Sequence, residues 1–192
     1  MTDYFYKCLP KRIYQNGDYT LESVQSKHVE EIRQWRNEQM DVLRQTKPIS
    51  KEEQVKYYEN HVWPEMDKNQ PDKILLSLNS DNELICYGGL VNIGWDDLRG
   101  EMSFLINSNR AKDSEVYQND MSNFITVIKE VFFHQLSFNR LFTETFEFRH
   151  CHIDILKDNG FLFEGRMRQH LKYNNEYTDL LIHSIIRNDF FE

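Results

Sequence analysis

The chain has 192 residues but only seven glycines, and none of them lies between Gly100 and Gly160. That central stretch has no residue without a Cβ, so nowhere in it can the backbone approach a ligand as closely as glycine permits. Cysteine is equally sparse. Cys8, Cys86 and Cys151 are odd in number, far apart and without a C-x-x-C pair. This excludes a disulfide framework and a structural zinc site, and points to a reducing cytoplasm. No run of about 18 apolar residues exists, so no membrane span is expected. The opening MTDYFYKCLPKR also lacks the apolar centre of a signal peptide. Basic charge is in deficit, with 23 Lys and Arg against 31 Asp and Glu and a formal net charge of −8. A broad nucleic-acid surface is thereby excluded. An anionic cofactor would need local donors acting against the global field.

What is present suits a single domain over 1–192 with an ordinary core, in which residues 1–18 form an extension or a strand pair closed by the turn at Asn16-Gly17-Asp18. Tyr19 to Val24 alternates as a strand. Ser26 offers an N-cap to a helix carrying Val29, Ile32 and Trp35. Ser50 and Glu53 form a capping box that opens a second helix, with Pro64 beyond its end. Strands are expected at 73–78, 84–95 and 101–107, and the Gly88-Gly89 pair in the second marks a bulge or a close backbone approach. Residues 108–120 read as polar and irregular. Met121, Phe124, Ile125, Ile128, Phe132 and Leu136 then line one face of a long helix. The order closes with a strand at 140–148, a helix at 150–159 and two long strands reaching about Ile186. This is an α/β (α+β) domain with a mixed sheet.

The last third carries a fixed punctuation: NRLFTETFEF (139–148), then RHCHIDILKDNGF (149–161), then FEGRMRQHLKYNNEYTD (163–179). A helix ending in Asn159-Gly160, followed at once by Phe161 and by Glu164-Gly165, resembles the C-terminal half of the GNAT superfamily of acyltransferases. Upstream, WRN (35–37) and PISKEEQ (48–54) resemble GNAT enzymes acting on amino groups of nucleotide-linked sugars, and more loosely those acting on ribosomal-protein N-termini. The resemblance spans roughly Tyr19 to Ile186. It implies a splayed sheet of about seven strands with helices on both faces, and acetyl-CoA as co-substrate without a metal. Pantetheine would pair with the backbone of Ser103, Phe104, Leu105 and Ile106. The pyrophosphate would sit at the N-terminus of the long helix. The glycine-rich loop of the family is missing there, and Arg110, Lys112, Ser114 and Asn119 are the side chains expected to replace it. The tyrosine that many relatives use to protonate the departing thiolate is matched by Leu156, and the opening Asn and Ser of that helix by Arg149 and His152.

Transfer to an amine needs a base, a polarised carbonyl and a means of neutralising the thiolate. Glu101, at the start of a strand, is the expected general base. Glu144 shares that role or is a strand carboxylate paired with a basic neighbour. His152 is an acid, an orienting group or a polar residue of a first helical turn. His150 and His152 lie about 200° apart around a helix, which argues against a shared metal. Arg36 binds a phosphate of the acceptor or caps its helix. Arg168 and Tyr177 are further candidate acceptor contacts on the last two strands. The expected function is N-acetylation of a small-molecule amine, nucleotide-linked and serving surface-polysaccharide synthesis, by a cytoplasmic monomer or homodimer. Two alternatives are a protein N-terminal acetyltransferase and a degenerate domain acting as a non-catalytic binding module.

Overall fold

The computed structural model describes residues 4–191. Eight strands form one sheet: β1 (Ile13–Asn16), β2 (Tyr19–Ser23), β3 (Ile74–Ser80), β4 (Glu83–Gly94), β5 (Arg99–Ile106), β6 (Arg140–Phe146), β7 (Leu162–Tyr173) and β8 (Glu176–Ile186). Their order is β1-β2-β3-β4-β5-β6-β8-β7. The helices are α1 (Val29–Glu38), α2 (Lys51–His61), α3 (Trp63–Met66), α4 (Ser114–Lys129), α5 (His150–Asp158) and α6 (Arg187–Phe191). The mixed, helix-flanked architecture matches the expectation, with one strand more than anticipated. The additional strand is β1, which pairs with β2 around the Asn16–Asp18 turn, where Gly17 has φ +55°. Among the described residues no helix is long and apolar enough to cross a membrane.

Several boundaries follow from local chemistry. The Ser50–Glu53 box forms as expected: Glu53 N donates to Ser50 Oγ at 3.1 Å and Ser50 N to Glu53 Oε2 at 2.8 Å. The start of α4 does not follow expectation. The segment read as irregular through Asp120 is already helical from Ser114, because the Asp113 carboxylate caps the backbone N–H groups of Glu115 and Val116. Tyr117, Met121 and Phe124 extend its buried face by one further turn. The loop before it is consequently short. At the end of α5, Gly160 takes φ +87°, and Phe161 N returns to Leu156 O at 3.0 Å, burying the Phe161 ring. The Asn-Gly-Phe punctuation is therefore a helix C-cap.

Gly88 and Gly89 permit a close approach and do not form a bulge. A Cβ on Gly88 would lie 2.2 Å from Ser103 O, and one on Gly89 2.0 Å from Ile74 O. The bulge comes later in β4, between Val91 and Gly94, where Asn92 adopts φ +47°. Every neighbouring pair of strands is antiparallel except β5 and β6. Those two run parallel and pair only at Arg99–Glu101 against Arg140–Phe142. Beyond Glu101 they diverge, and the splay expected from the sequence opens between them.

His28 sits 4 % exposed in the 3₁₀ turn before α1, and its Nδ1 accepts from Gln25 N. Burial, reinforced by Lys27, lowers its pKa to about 4. The unfolded chain therefore takes up a proton near the ordinary value of about 6.5 while the folded one does not. Stability from this site is complete above that value and is lost as pH falls toward 4. Denaturant unfolding should show the loss, at no more than about 1.4 kcal/mol per pH unit. His28→Asn, which keeps an acceptor near Nδ1, should flatten the slope between pH 6.5 and 4. Parallel curves for the two proteins would show that His28 does not titrate in this way.

Candidate active site

The open edge of β5 is the centre of the site. From Met102 to Ile106 the strand is paired with β4 on one side and has no strand on the other. Backbone amides and carbonyls on that edge need partners, and an amide-bearing ligand laid along it would provide them. Ser103, Phe104, Leu105 and Ile106 all lie on this stretch. At its mouth the Gln39 side chain, just past α1, donates to Ile106 O at 2.7 Å and to Ser108 Oγ at 3.0 Å. A protein amide thus already makes the kind of bond that a ligand amide would make.

On the α4–α5 side of the sheet the splay leads into a cavity of about 860 Å³. Ser108, Lys112, Ser114, Tyr117, Arg149 and His152 are among its walls. Arg149 Nη2 donates to the Tyr117 hydroxyl at 2.9 Å, and that hydroxyl meets His152 Nδ1 at 3.0 Å. The His152 ring stacks on Phe104 with centroids 4.3 Å apart, and the Arg149 guanidinium lies 5.2 Å from the same Phe104 ring. Burial, and then Arg149 and His183, hold the His152 pKa well below its ordinary value. His152, expected as an acid or an orienting group, is a buried ring bonded to Tyr117 and stacked on Phe104, and its lowered pKa disfavours the acid role. Leu156, at the position of the family tyrosine, is buried in the core.

The phosphate-binding expectations divide. Lys112 and Ser114 line the cavity. Arg110 does not: its guanidinium is held by the buried Asp120 carboxylate at 2.6 and 2.9 Å. Asn119 is likewise turned away, donating to Tyr19 Oη at 2.8 Å. Arg149 stands on the cavity wall where Arg110 was expected. The loop amides are largely closed upon themselves. Asn107 Oδ1 takes Asn109 N, Asn107 O takes Ala111 N, and Arg110 O takes Asp113 N. Asp113 Oδ1 holds the Glu115 and Val116 amides at 3.0 and 3.1 Å, so a carboxylate occupies the helix terminus where a phosphate would bind.

On the opposite face Glu101 and Glu144 come together. Glu101 is half-buried, and Asn92 Nδ2 donates to its Oε2 at 2.6 Å. The β4 bulge aims Asn92 at this carboxylate, as bulges beside functional sites commonly do. Burial raises the Glu101 pKa, Asn92 opposes it, and the nearby Glu144 raises it further. Glu144 forms an ion pair with Arg44 from the segment between α1 and α2, which is the basic partner allowed for in the sequence. Arg36 lines two adjoining cavities on this same face. Arg168 and Tyr177 are not brought near. They stand exposed on β7 and β8. Ser184 lies opposite Phe142, which is itself opposite Glu101, and Tyr177 is seven residues from Ser184, roughly 23 Å along the strand. Among the described residues no group of three or more His, Cys, Asp and Glu could hold a metal.

Asn92, Arg44, Tyr117 and Arg149 enter the site without having been assigned a role in it from the sequence. Only Tyr117 left a signal, since it extends the α4 apolar period by one turn. The others depend on a bulge, on a loop crossing the sheet and on a strand end.

A family model for the acetyltransferase (GNAT) domain matches residues 21–182. No curated protein matches the chain. Among solved structures, spermidine N-acetyltransferase from Vibrio cholerae, in complex with CoA and spermine, superposes with a TM-score of 0.78 at 14 % identity. That match covers 92 % of this chain and 100 % of the other. A probable acetyltransferase gives a TM-score of 0.73 at 17 % identity, covering 92 % and 98 %. At such identities the likeness carries the fold alone.

Asp113 supplies the test of the cofactor end of the cavity. Asp113→Asn keeps the cap but removes the negative charge facing the phosphates. CoA titrated calorimetrically should bind the variant more tightly, by roughly threefold to tenfold, with the gain shrinking as salt screens the charge. Asp113→Ala should show the same gain at a stability cost of about 1 kcal/mol from the lost cap. Equal CoA affinity in wild type and Asp113→Asn would place the phosphates elsewhere.

Proposed function

The chain belongs to the GNAT acetyltransferase family, and from that premise we propose that it moves the acetyl group of acetyl-CoA to a small primary amine with Glu101 as general base. The observation that carries this reading is the Glu101 carboxylate itself. It is half-buried, fixed by Asn92, raised in pKa, and stands where β5 parts from β6. Most primary amines are protonated at neutral pH, so a carboxylate of raised pKa is suited to take the proton as the nitrogen attacks. The nitrogen lone pair forms the bond to the thioester carbonyl carbon, and collapse of the tetrahedral intermediate breaks the carbon–sulfur bond. Glu101 takes one proton from the bound ammonium before attack and passes it to solvent, then takes the second proton that the nitrogen sheds after attack. The thiolate leaves toward the Tyr117 hydroxyl, on the other side of the splay. Glu144 is taken up in an ion pair with Arg44, which leaves Glu101 as the carboxylate free to meet an incoming ammonium.

The cavity walled by Lys112, Ser114 and Arg149 supports acetyl-CoA as the donor. Reading the domain as a non-catalytic module leaves the Asn92–Glu101 contact and the open β5 edge without a purpose. The acceptor expected from the sequence, a nucleotide-linked amino sugar, has no counterpart among the structural relatives described above. The acceptor named for one of them is a polyamine. A protein N-terminus needs an open groove for an extended peptide. The loop that carries Arg44 to Glu144 crosses the sheet face beside Glu101, which favours a small acceptor.

Glu101→Gln retains the size of the side chain and its bond to Asn92 but cannot accept a proton. With acetyl-CoA and a simple amine such as butylamine, kcat should fall by roughly 10²–10⁴-fold while the acetyl-CoA Kd stays nearly constant. The defect should narrow as pH rises and free amine appears unaided. Near-normal kcat across the pH range would assign the base to another group.

A further inference from the structure

Two adjoining cavities of about 440 and 330 Å³ lie on the Glu101 face of the sheet, and both are lined by Arg36, Tyr57 and Tyr87. The first also touches Asn92 and Ser103, which places Glu101 at its rim. Arg36, in the last turn of α1, is half-buried, and among the described residues no carboxylate pairs with it. A guanidinium partly withdrawn from water normally keeps an anionic partner. The carboxylates at the ends of the groove are already engaged: Glu53 with Lys47 at 3.2 Å, and Asp72 with Lys68 at 3.6 Å. Lys73 adds a second cation, its Nζ 3.5 Å from Tyr57 Oη.

Tyr58 supplies an independent observation. It is 1 % exposed and lines the second cavity, and among the described residues its hydroxyl has no hydrogen-bond partner. The Tyr87 side chain faces that hydroxyl and, after burial, raises its pKa further. A buried hydroxyl left unpaired is destabilising, and removing it would favour the fold. A phenol there is accounted for by a ligand oxygen that comes and goes.

We propose that this groove binds an anionic group, a carboxylate or a phosphate, carried by the amine acceptor, with Arg36 as its counter-ion and the Tyr58 hydroxyl as a donor. The inference rests on the reading that the acceptor amine lies at Glu101. The acceptor is then an amino acid-like or phosphorylated amine, positive at the Glu101 end and negative at the Arg36 end. A polyamine fits poorly, because its second ammonium would meet Arg36 and Lys73.

The test compares butylamine, 4-aminobutyrate, 3-aminopropyl phosphate and spermidine as acceptors with acetyl-CoA, following thiol release. At least one of the two anionic amines should exceed butylamine in kcat/KM by about tenfold or more, and the pair should distinguish carboxylate from phosphate. Arg36→Gln should collapse that ratio to near one, and Arg36→Lys should restore part of it. Tyr58→Phe should raise KM for the preferred anionic amine severalfold while Tm stays equal or rises, a combination that a purely structural role would not produce. Spermidine or butylamine outperforming both anionic amines, or a ratio unchanged by Arg36→Gln, would overturn the proposal while leaving Glu101 as base. If no amine is turned over, the Glu101 reading fails, and calorimetry with 3-aminopropyl phosphate and with 4-aminobutyrate decides the groove. Binding of either one by wild type that is lost in Arg36→Gln upholds it, and no binding of either refutes it.

Discussion

β5 gives up its partner after Glu101, and the site depends on that early separation. Three parallel rungs join β5 to β6, and then the two strands part while each stays paired on its outer side. An unpaired strand edge inside a domain must be covered or given a partner. Gln39 provides one such bond at Ile106 and itself lines the larger cavity. On the α4–α5 side, the stack of Phe104, His152 and Arg149 with Tyr117 lies beside the opening and sets the shape of the wall. The same parting brings Glu101 and Glu144 close to each other on the opposite face. One topological event therefore underlies both of the places we propose for cofactor and acceptor.

Basic side chains stand on both sides of the parting. The protein is strongly acidic overall, yet the side chains facing the larger cavity include Lys112 and Arg149, and the acceptor groove has Arg36 and Lys73. Arg110, adjacent in sequence, is withdrawn into a bidentate pair with a buried Asp120 that also accepts from Tyr19. That network ties β2, α4 and the preceding loop together. A basic residue of the loop thus serves the scaffold, while the cavity wall is lined by an arginine 39 positions further on. Asp113 has a comparable double consequence. It starts α4 without glycine, and it places a negative charge at the terminus where a phosphate would otherwise be drawn.

The element order, the capping box at Ser50 and the Asn159-Gly160-Phe161 helix end were legible because each rests on contacts within a few residues. That Glu101 and Glu144 lie on one sheet face beside the parting of β5 and β6 follows from strand period and from the resemblance, whereas their roles belong to the proposal. The start of α4 was misread because polar residues on its first turn hide a buried face at Tyr117 until the cap at Asp113 is recognised. Arg110 and Asn119 were misassigned because the partners that claim them, Asp120 and Tyr19, act through the folded arrangement of α4 and β2.

Sequence alone determined the mixed sheet and the helix that follows its open strand, since periodicity, capping and composition act locally. Tertiary structure decided which of those side chains share a space. The β4 bulge at Asn92 holds Glu101, and the crossing of Arg44 neutralises Glu144. The meeting of α1 and α2 leaves Arg36 and Tyr58 facing one groove, where among the described residues no carboxylate pairs with Arg36. None of these follows from spacing along the chain, because each joins residues that only the packed sheet brings within hydrogen-bonding or ionic reach.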